Sequence, residues 1–298
     1  MAAGRACYVL ALAAYYTGAS PDGVEHARRA IAHLERGRSR AELSWLGQSQ
    51  WVLGLHLFLR GEFDAALDAE ATVEATAARL GGEPRLRSFA AWTSGWILAT
   101  RGEWDRAIEA CRRAVADSPD PVNTALATGR LATAYLEKGE AAEALPLLER
   151  SVDQLAGFRF PQLQGLFTAL LAEARLLTGD PIGARDAAER AVALTRDGRY
   201  PFGLAWARRA LARIARAAGD LDAAAAQLAE ALVVFVSIHT RFEAARTQLE
   251  LAELAQARGD LAGATAGLAE AGQALASMMV SRYDERLGAL RAALGLVR

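Results

Sequence analysis

The chain is poor in the residues that mark several common classes of protein. It has 2 cysteines (Cys7 and Cys111), 8 prolines and one lysine, Lys138, among 298 residues. Two distant cysteines exclude a disulfide framework and offer no metal-ligand spacing, which predicts a reducing, cytoplasmic location and no bound metal. The scarcity of proline and the abundance of alanine favour helix.

The chain also lacks an excess of charge of either sign. Its formal net charge of −1 at pH 7 leaves no overall electrostatic attraction for nucleic acid or an anionic membrane. No apolar run reaches the ~18 residues that a membrane span needs. We therefore expect neither nucleic acid nor a membrane as a partner. The short apolar stretch 7–14 fits the first helix of a repeat or, alternatively, the hydrophobic region of a signal peptide.

What the chain does contain is a repeat of about forty residues. A glycine followed by Asp or Glu recurs with spacings of 41, 37, 40, 40 and 40 residues, at Gly61, Gly102, Gly139, Gly179, Gly219 and Gly259. A fixed period in this range is typical of helical repeat proteins. Each glycine is expected to end one helix, and the following acid to open the next helix, where it meets the positive end of the helix dipole.

Small residues and leucines form further columns around these glycines. Alanine lies five residues after each one, Gly or Ala lies seven before, and Leu usually lies eight before. These columns resemble the tetratricopeptide repeat over residues 41 to about 276. The resemblance implies an all-α fold: a right-handed superhelical solenoid of about seven helix–turn–helix repeats. We expect one unit over 1–298, with a degenerate first repeat at 1–40, six repeats at 41–280 and a capping helix at 281–298.

Catalytic chemistry is nearly absent from the sequence. The four histidines are scattered, and there is no phosphate-binding glycine loop, nucleophile elbow or zinc-binding HExxH motif. We therefore predict no enzyme activity and no cofactor. An enzyme would require an assembled acid–base pair, such as Glu173 with Arg130, for which the sequence gives no independent sign.

In tetratricopeptide arrays the first helix of each repeat lines the concave face, and the resemblance implies the same here. It predicts an aromatic first half of the groove and a charged second half with an arginine ladder. Aromatic side chains and arginines commonly anchor interfaces. As alternatives, the aromatic side chains are inter-helix core and the arginines pair with neighbouring glutamates. The candidate groove residues are Tyr8, Tyr15, Trp51, Phe58, Phe89, Trp92, Trp96, Arg130, Glu173, Trp206, Arg209, Arg213, Arg216, Glu250 and Glu253.

Three stretches, 51–55, 91–96 and 242–255, resemble the long carboxy-terminal repeat region of large bacterial signalling proteins. Those proteins couple a STAND-type ATPase to a cyclase, a kinase or a LuxR-type DNA-binding domain, and the maltose-regulon activator is related to them. The resemblance implies a sensor region that binds an inducer or a partner. The start inside a repeat predicts a piece of a longer protein.

The function expected from these features is that of a non-catalytic scaffold in a bacterial signalling or regulatory protein. Its groove would bind a protein, a peptide or a small effector. The alternative is a structural solenoid that self-associates as a homodimer through the aromatic half of the groove. In the scaffold hypothesis, replacing Arg209 and Arg213 with alanine weakens binding of an anionic ligand.

Overall fold

The computed structural model describes residues 1–296, which form fifteen α-helices, one 3-10 helix and no strand. The helices are α1 (Ala2–Thr17), α2 (Ser20–Leu34), α3 (Arg40–Leu59), α4 (Phe63–Arg79), α5 (Pro84–Arg101), α6 (Trp104–Ala116), α7 (Pro121–Lys138), α8 (Ala141–Gly157), α9 (Pro161–Leu177), α10 (Pro181–Asp197), α11 (Pro201–Ala217), α12 (Leu221–Ser237), α13 (Arg241–Ala257), α14 (Leu261–Ser277) and α15 (Asp284–Ala293). The 3-10 helix (Ser281–Tyr283) precedes α15.

The first fourteen helices form seven pairs, so the predicted all-α solenoid is confirmed. Each odd-numbered helix packs on the even-numbered helix that follows it, and the odd-numbered helices from α1 to α11 also contact one another in sequence. We call α1, α3, α5, α7, α9, α11 and α13 the inner helices. Each helix from α9 to α14 has 17 residues, and three-residue connections between them complete the forty-residue period.

The turn inside each pair follows the predicted chemistry. Every turn glycine from Gly18 to Gly259 has a positive φ, between 77° and 90°, which an L-residue with a Cβ adopts only at a cost. The acid that follows caps the next helix only where it is aspartate. Asp180, Asp220 and Asp260 accept a hydrogen bond from the backbone N–H three residues later, whereas Glu in the earlier units makes no such bond. The shorter aspartate suits the capping geometry.

A second forty-residue period lies between the pairs and was not visible as a sequence motif. Arg159, Arg199, His239 and Met279 adopt positive φ angles of 51° to 58° at the ends of four successive even-numbered helices. The next residue in each case donates its N–H to a carbonyl five residues earlier, which closes the helix end. This connection therefore keeps its geometry while its side chains vary.

The superhelix closes on itself after about five pairs. The turn at Gly18 packs against Ile238, the turn at Gly61 against Met278, and the turn at Gly102 against Arg282. A Cβ placed at Gly139, Gly179, Gly219 or Gly259 would meet no atom of residues 1–296 within 4 Å beyond its own neighbours in the chain. The first three turns are therefore internal contacts between successive superhelical turns, and the last four stay at the free edge.

Candidate functional site

The residues predicted to line a groove lie mostly inside the superhelix. Ten of the fifteen are buried: Tyr8, Tyr15, Trp51, Phe58, Trp92, Trp96, Arg130, Trp206, Arg209 and Glu250. Phe89, Glu173, Arg213 and Glu253 are half-buried, and Arg216 is exposed. The inner helices do face the superhelix axis as the resemblance implied, but closure of the superhelix leaves little open groove there. The buried members form its packed interior.

The aromatic side chains of the first units pack against one another across the inner helices. Trp51 stacks on Phe89 with ring centroids 4.2 Å apart, and its indole Nε1 donates to Thr93 Oγ1 at 3.0 Å. The ring centroids of Phe58 and Trp96 lie 4.4 Å apart. Most of the predicted aromatic residues are therefore inter-helix core and not groove lining, because these rings fill the space between α3 and α5.

The inner helices α1, α3, α5, α7 and α9 leave one cavity between them. Its volume is about 30 Å³, room for one or two water-sized groups. The side chains that line it are Tyr15, Tyr16, Trp51, Leu55, Trp92, Leu126, Arg130, Leu163 and Phe167. Tyr16 and Leu126 are half-buried, so the cavity lies next to the surface. The structure thus brings four predicted residues, Tyr15, Trp51, Trp92 and Arg130, to one place.

Arg130 is the charged group of this cavity. Its side chain is buried, and its guanidinium carbon lies 3.5 Å from the ring centroid of Trp96 and 5.4 Å from those of Trp92 and Phe167. Burial lowers the pKa of Arg130 from its usual value, since the charged form loses its hydration. The aromatic faces attract the guanidinium and offset part of that cost.

Tyrosine hydroxyls lie on the same side of the interior. The Tyr200 hydroxyl, at the start of α11, donates to the Tyr15 hydroxyl at 3.2 Å. Burial raises the pKa of Tyr16 and Tyr200 well above the ordinary range, so both stay neutral hydrogen-bonding groups. The contact spans 185 residues, and the closure of the superhelix alone creates it.

The predicted arginine ladder is the centre of a buried charge network. Each of its arginines is paired with a glutamate of a neighbouring inner helix. The structure therefore agrees with the alternative in which the arginines form salt bridges within the chain. The pairs are Arg209 with Glu243, Arg213 with Glu173 and Glu250, and Arg216 with Glu253. Glu173 therefore pairs with Arg213 and not with Arg130.

Glu137 connects this network to the end of the chain. It accepts hydrogen bonds from Arg246, at 2.8 Å, and from Arg282. Burial raises the pKa of Glu137, but the two guanidiniums outweigh it and hold the pKa well below the usual range. These partners lie 109 and 145 residues away in sequence. We call the set Glu137, Glu173, Arg209, Arg213, Arg216, Glu243, Arg246, Glu250, Glu253 and Arg282 the charge network.

Several interior residues were missed by the sequence analysis because they lie outside the positions assumed to face the groove. Phe160, Tyr200, Thr240 and Val280 follow the positive-φ residues between pairs and point inward; all except the half-buried Phe160 are buried. They recur twenty-one residues after the turn glycines. That spacing was available in the sequence, but their differing chemistry hid it.

Other kinds of site are not assembled in the part of the chain that the structure describes. No group of three or more His, Cys, Asp or Glu side chains in residues 1–296 is placed to hold a metal ion. Within the same residues, no helix combines the length and the apolar character needed to cross a membrane.

Comparison with known proteins identifies the repeat. One tetratricopeptide repeat model matches residues 98–170, and a second matches 47–69, 165–190 and 205–230. No curated protein sequence matches the chain significantly.

Solved structures share the fold at low sequence identity. A Rap protein complexed with competence and sporulation factor is 12% identical, with a TM-score of 0.74 over 97% of this chain and 80% of that one. The Rap conjugation gene regulator of plasmid pLS20, in complex with the Phr* peptide, is 13% identical, with a TM-score of 0.69 over 97% and 75%.

A STAND protein with a tetratricopeptide repeat sensor, from Pyrococcus horikoshii, is 15% identical, with a TM-score of 0.56 over 91% of this chain and 42% of that one. The helix pairs, their forty-residue period and the matched repeat models show that this chain contains tetratricopeptide repeats.

Proposed function

We propose that this chain is the sensor or interaction region of a bacterial signalling or regulatory protein. It binds a peptide or protein partner, or a small effector, and carries out no chemistry on it. The observation that carries this proposal is the cavity between the inner helices, with half-buried apolar side chains beside it.

Four such side chains surround the cavity. Tyr16 and Leu126 line it, Phe89 stacks on the lining residue Trp51, and Phe160 lies 6.0 Å from Tyr16. We call Tyr16, Phe89, Leu126 and Phe160 the aromatic entrance. Apolar and aromatic side chains around a concavity are the usual anchors for a peptide. Tyr16 adds a neutral hydroxyl that can fix the orientation of a bound backbone.

The similar solved structures support a regulatory role of this type. The two Rap proteins were solved with a peptide factor or a Phr* peptide, and the STAND protein carries its tetratricopeptide repeats as a sensor. A peptide that enters between the inner helices must shift them apart, so its binding would be coupled to a change in the superhelix.

Selection from a phage-displayed library of random heptapeptides tests the proposal. We expect enriched sequences whose synthetic peptides bind with saturable fluorescence anisotropy. Phe89→Ala and Leu126→Ala each remove an anchor of the entrance and should weaken binding by about tenfold or more. Ile182→Ala, at an exposed apolar residue of α10, is the matched control and should leave the affinity unchanged.

The proposal is wrong for this site if selected peptides bind equally well to the Phe89→Ala and Leu126→Ala variants. Self-association through Trp51, Trp92 and Trp96 is not favoured, because these three rings are buried within the single chain.

A further inference from the structure

Arg130 differs from the other buried arginines of this protein. Three arginines, Arg130, Arg209 and Arg246, are at most 4% exposed. Arg209 pairs with Glu243, and Arg246 pairs with Glu137 and Glu243. Among residues 1–296 Arg130 has neither an ion pair nor a hydrogen-bond partner, although a guanidinium carries five N–H donors.

Stacking on aromatic rings does not account for this difference. Arg209 lies 4.1 Å from the ring centroid of Trp206, much as Arg130 lies on Trp96, and yet Arg209 also has its carboxylate. A cation–π contact offsets about 2 kcal/mol of desolvation, whereas an unpaired buried charge costs several kcal/mol. An anion that is not part of the polypeptide would therefore offset the remaining desolvation cost of the Arg130 guanidinium.

No carboxylate of the charge network can serve Arg130 as a partner. The guanidinium of Arg130 stacks on the ring of Trp96. Trp96 packs against Phe202, which in turn packs against Trp206, the ring on which Arg209 stacks. This aromatic layer separates the two charged regions. The groups that act on the Arg130 charge are accordingly neutral: Tyr15, Tyr200, Cys111 and Tyr16.

Trp92, which lines the same cavity as Arg130, carries a second unused donor. The Trp92 indole Nε1 is buried and, within residues 1–296, has no hydrogen-bond partner, and Trp92 lines the same cavity as Arg130. Buried indole N–H groups usually find an acceptor. Tyr15 also lines the cavity, and because its oxygen accepts from Tyr200, its own proton remains to be donated.

We propose that this cavity binds one small monovalent anion, a halide or a carboxylate of formate size, held by the guanidinium of Arg130 and the indole N–H of Trp92. The volume of about 30 Å³ admits a group of that size. The site has cationic and neutral donors and no competing carboxylate. It binds its anion whether or not a peptide occupies the aromatic entrance.

Thermal unfolding in chloride and in formate, with gluconate replacing them at constant ionic strength, tests the site. Gluconate is too large for the cavity. The wild-type midpoint should rise saturably by several degrees as the small anion exceeds its Kd about a hundredfold. Arg130→Met keeps the length of the side chain and removes the charge, and its midpoint should not respond. Arg208→Met is the control, because Arg208 pairs with Glu230 on α12, and it should respond as the wild type does.

Two further measurements keep the test decisive if Arg130→Met does not fold. Trp92→Phe retains the ring but loses the N–H, and the anion concentration for the half-maximal shift should rise about tenfold. Bromide soaked into wild-type crystals should give an anomalous peak between Arg130 and Trp92. An unchanged midpoint in both anions, or a shift of equal size in gluconate, would overturn the proposal, as would a response to chloride with bromide density elsewhere only. A response to formate without one to chloride identifies the occupant as a carboxylate, and the reverse result identifies a halide.

Discussion

Arg282, in the short 3-10 helix after the seventh pair, donates a hydrogen bond at 2.6 Å to the carbonyl oxygen of Ala99, at the end of α5. The same guanidinium binds Glu137. One side chain thus joins the last part of the chain to the third and fourth pairs. The 3-10 helix therefore not only contacts α14 but also ties successive turns of the superhelix together through Arg282.

Replacing Arg282 with methionine should destabilise the fold by about 2–3 kcal/mol, because the Ala99 carbonyl and the Glu137 carboxylate each lose one of two donors and keep only Gly102 N–H and Arg246. Urea denaturation followed by circular dichroism measures the loss. Arg286→Met is the control, since Arg286 is 43% exposed in its pair with Glu253 and should cost under about 1 kcal/mol. Equal losses in the two variants would contradict the role of Arg282 in joining the superhelical turns.

The turn glycines should differ in their tolerance of substitution. Gly18→Ala and Gly179→Ala both force alanine into a positive φ, which costs about 1 kcal/mol in each. At Gly18 the new methyl group would also overlap the side chain of Ile238, whereas it meets open space at Gly179. Overpacking should add about 1–3 kcal/mol. Chemical denaturation of the two variants gives the difference directly, and a larger loss for Gly179→Ala would refute the superhelical contact.

Glu250 should make the protein sensitive to acid. Burial raises the pKa of Glu250, but Arg213, Arg209 and Arg246 reverse this and lower it from 4.5 to about 2. The unfolded chain therefore takes up the proton first, so the stabilisation is complete above pH 4.5 and is lost as pH falls toward 2. The loss amounts to about 3 kcal/mol. In Glu250→Gln the stability is lower at pH 7, and its decline between pH 4.5 and 2 should be smaller by that amount.

His56 should make the stability of the fold depend on pH over a higher range than Glu250 does. Its Nε2 lies 2.9 Å from the Ala11 carbonyl oxygen and must carry a proton to donate to it, and its Nδ1 lies 3.4 Å from Ser20 Oγ. Burial lowers the pKa of His56 from 6.5 to about 4. Between these two pH values His56 is protonated in the unfolded chain but neutral in the folded chain. Stability should fall by about 3 kcal/mol between pH 6.5 and 4. His56→Gln retains a donor but does not titrate, and a pH series of its unfolding should lack this decline.

Glu70 is a buried carboxyl that the fold does not use. Within residues 1–296 neither of its oxygens has a hydrogen-bond partner, and burial raises its pKa well above the usual value. The folded protein keeps the proton while the unfolded chain releases it, so stability falls as pH rises above 4.5. Glu70→Met should therefore stabilise the protein at pH 8 by about 1–3 kcal/mol. Glu74→Met, at a half-buried position on the same helix, should change the stability by less than about 0.5 kcal/mol. A destabilised Glu70→Met variant would point to an unseen partner for the carboxyl.

Much of the architecture follows from local features of the sequence. Gly61 and its successors end helices because only glycine adopts their positive φ without strain, and the alanine columns allow the two helices of a pair to pack closely. Those features recur about every forty residues, so the helix pairs and their number can be predicted from this one sequence. The arginine ladder was also visible, because Arg209, Arg213 and Arg216 share one face of a helix.

The sequence by itself thus determined the helix pairs and the face of each inner helix. The tertiary structure decided that this face is closed: Tyr15 meets Tyr200, Phe63 meets Phe242, and Arg282 meets Ala99. These contacts join residues more than 170 positions apart, and they depend on the small rotation between neighbouring pairs, summed over five pairs. That rotation arises from packing between helices, which no local pattern records. Packing between neighbouring pairs gives Arg209 the carboxylate of Glu243, one repeat along the chain, and leaves Arg130 without one.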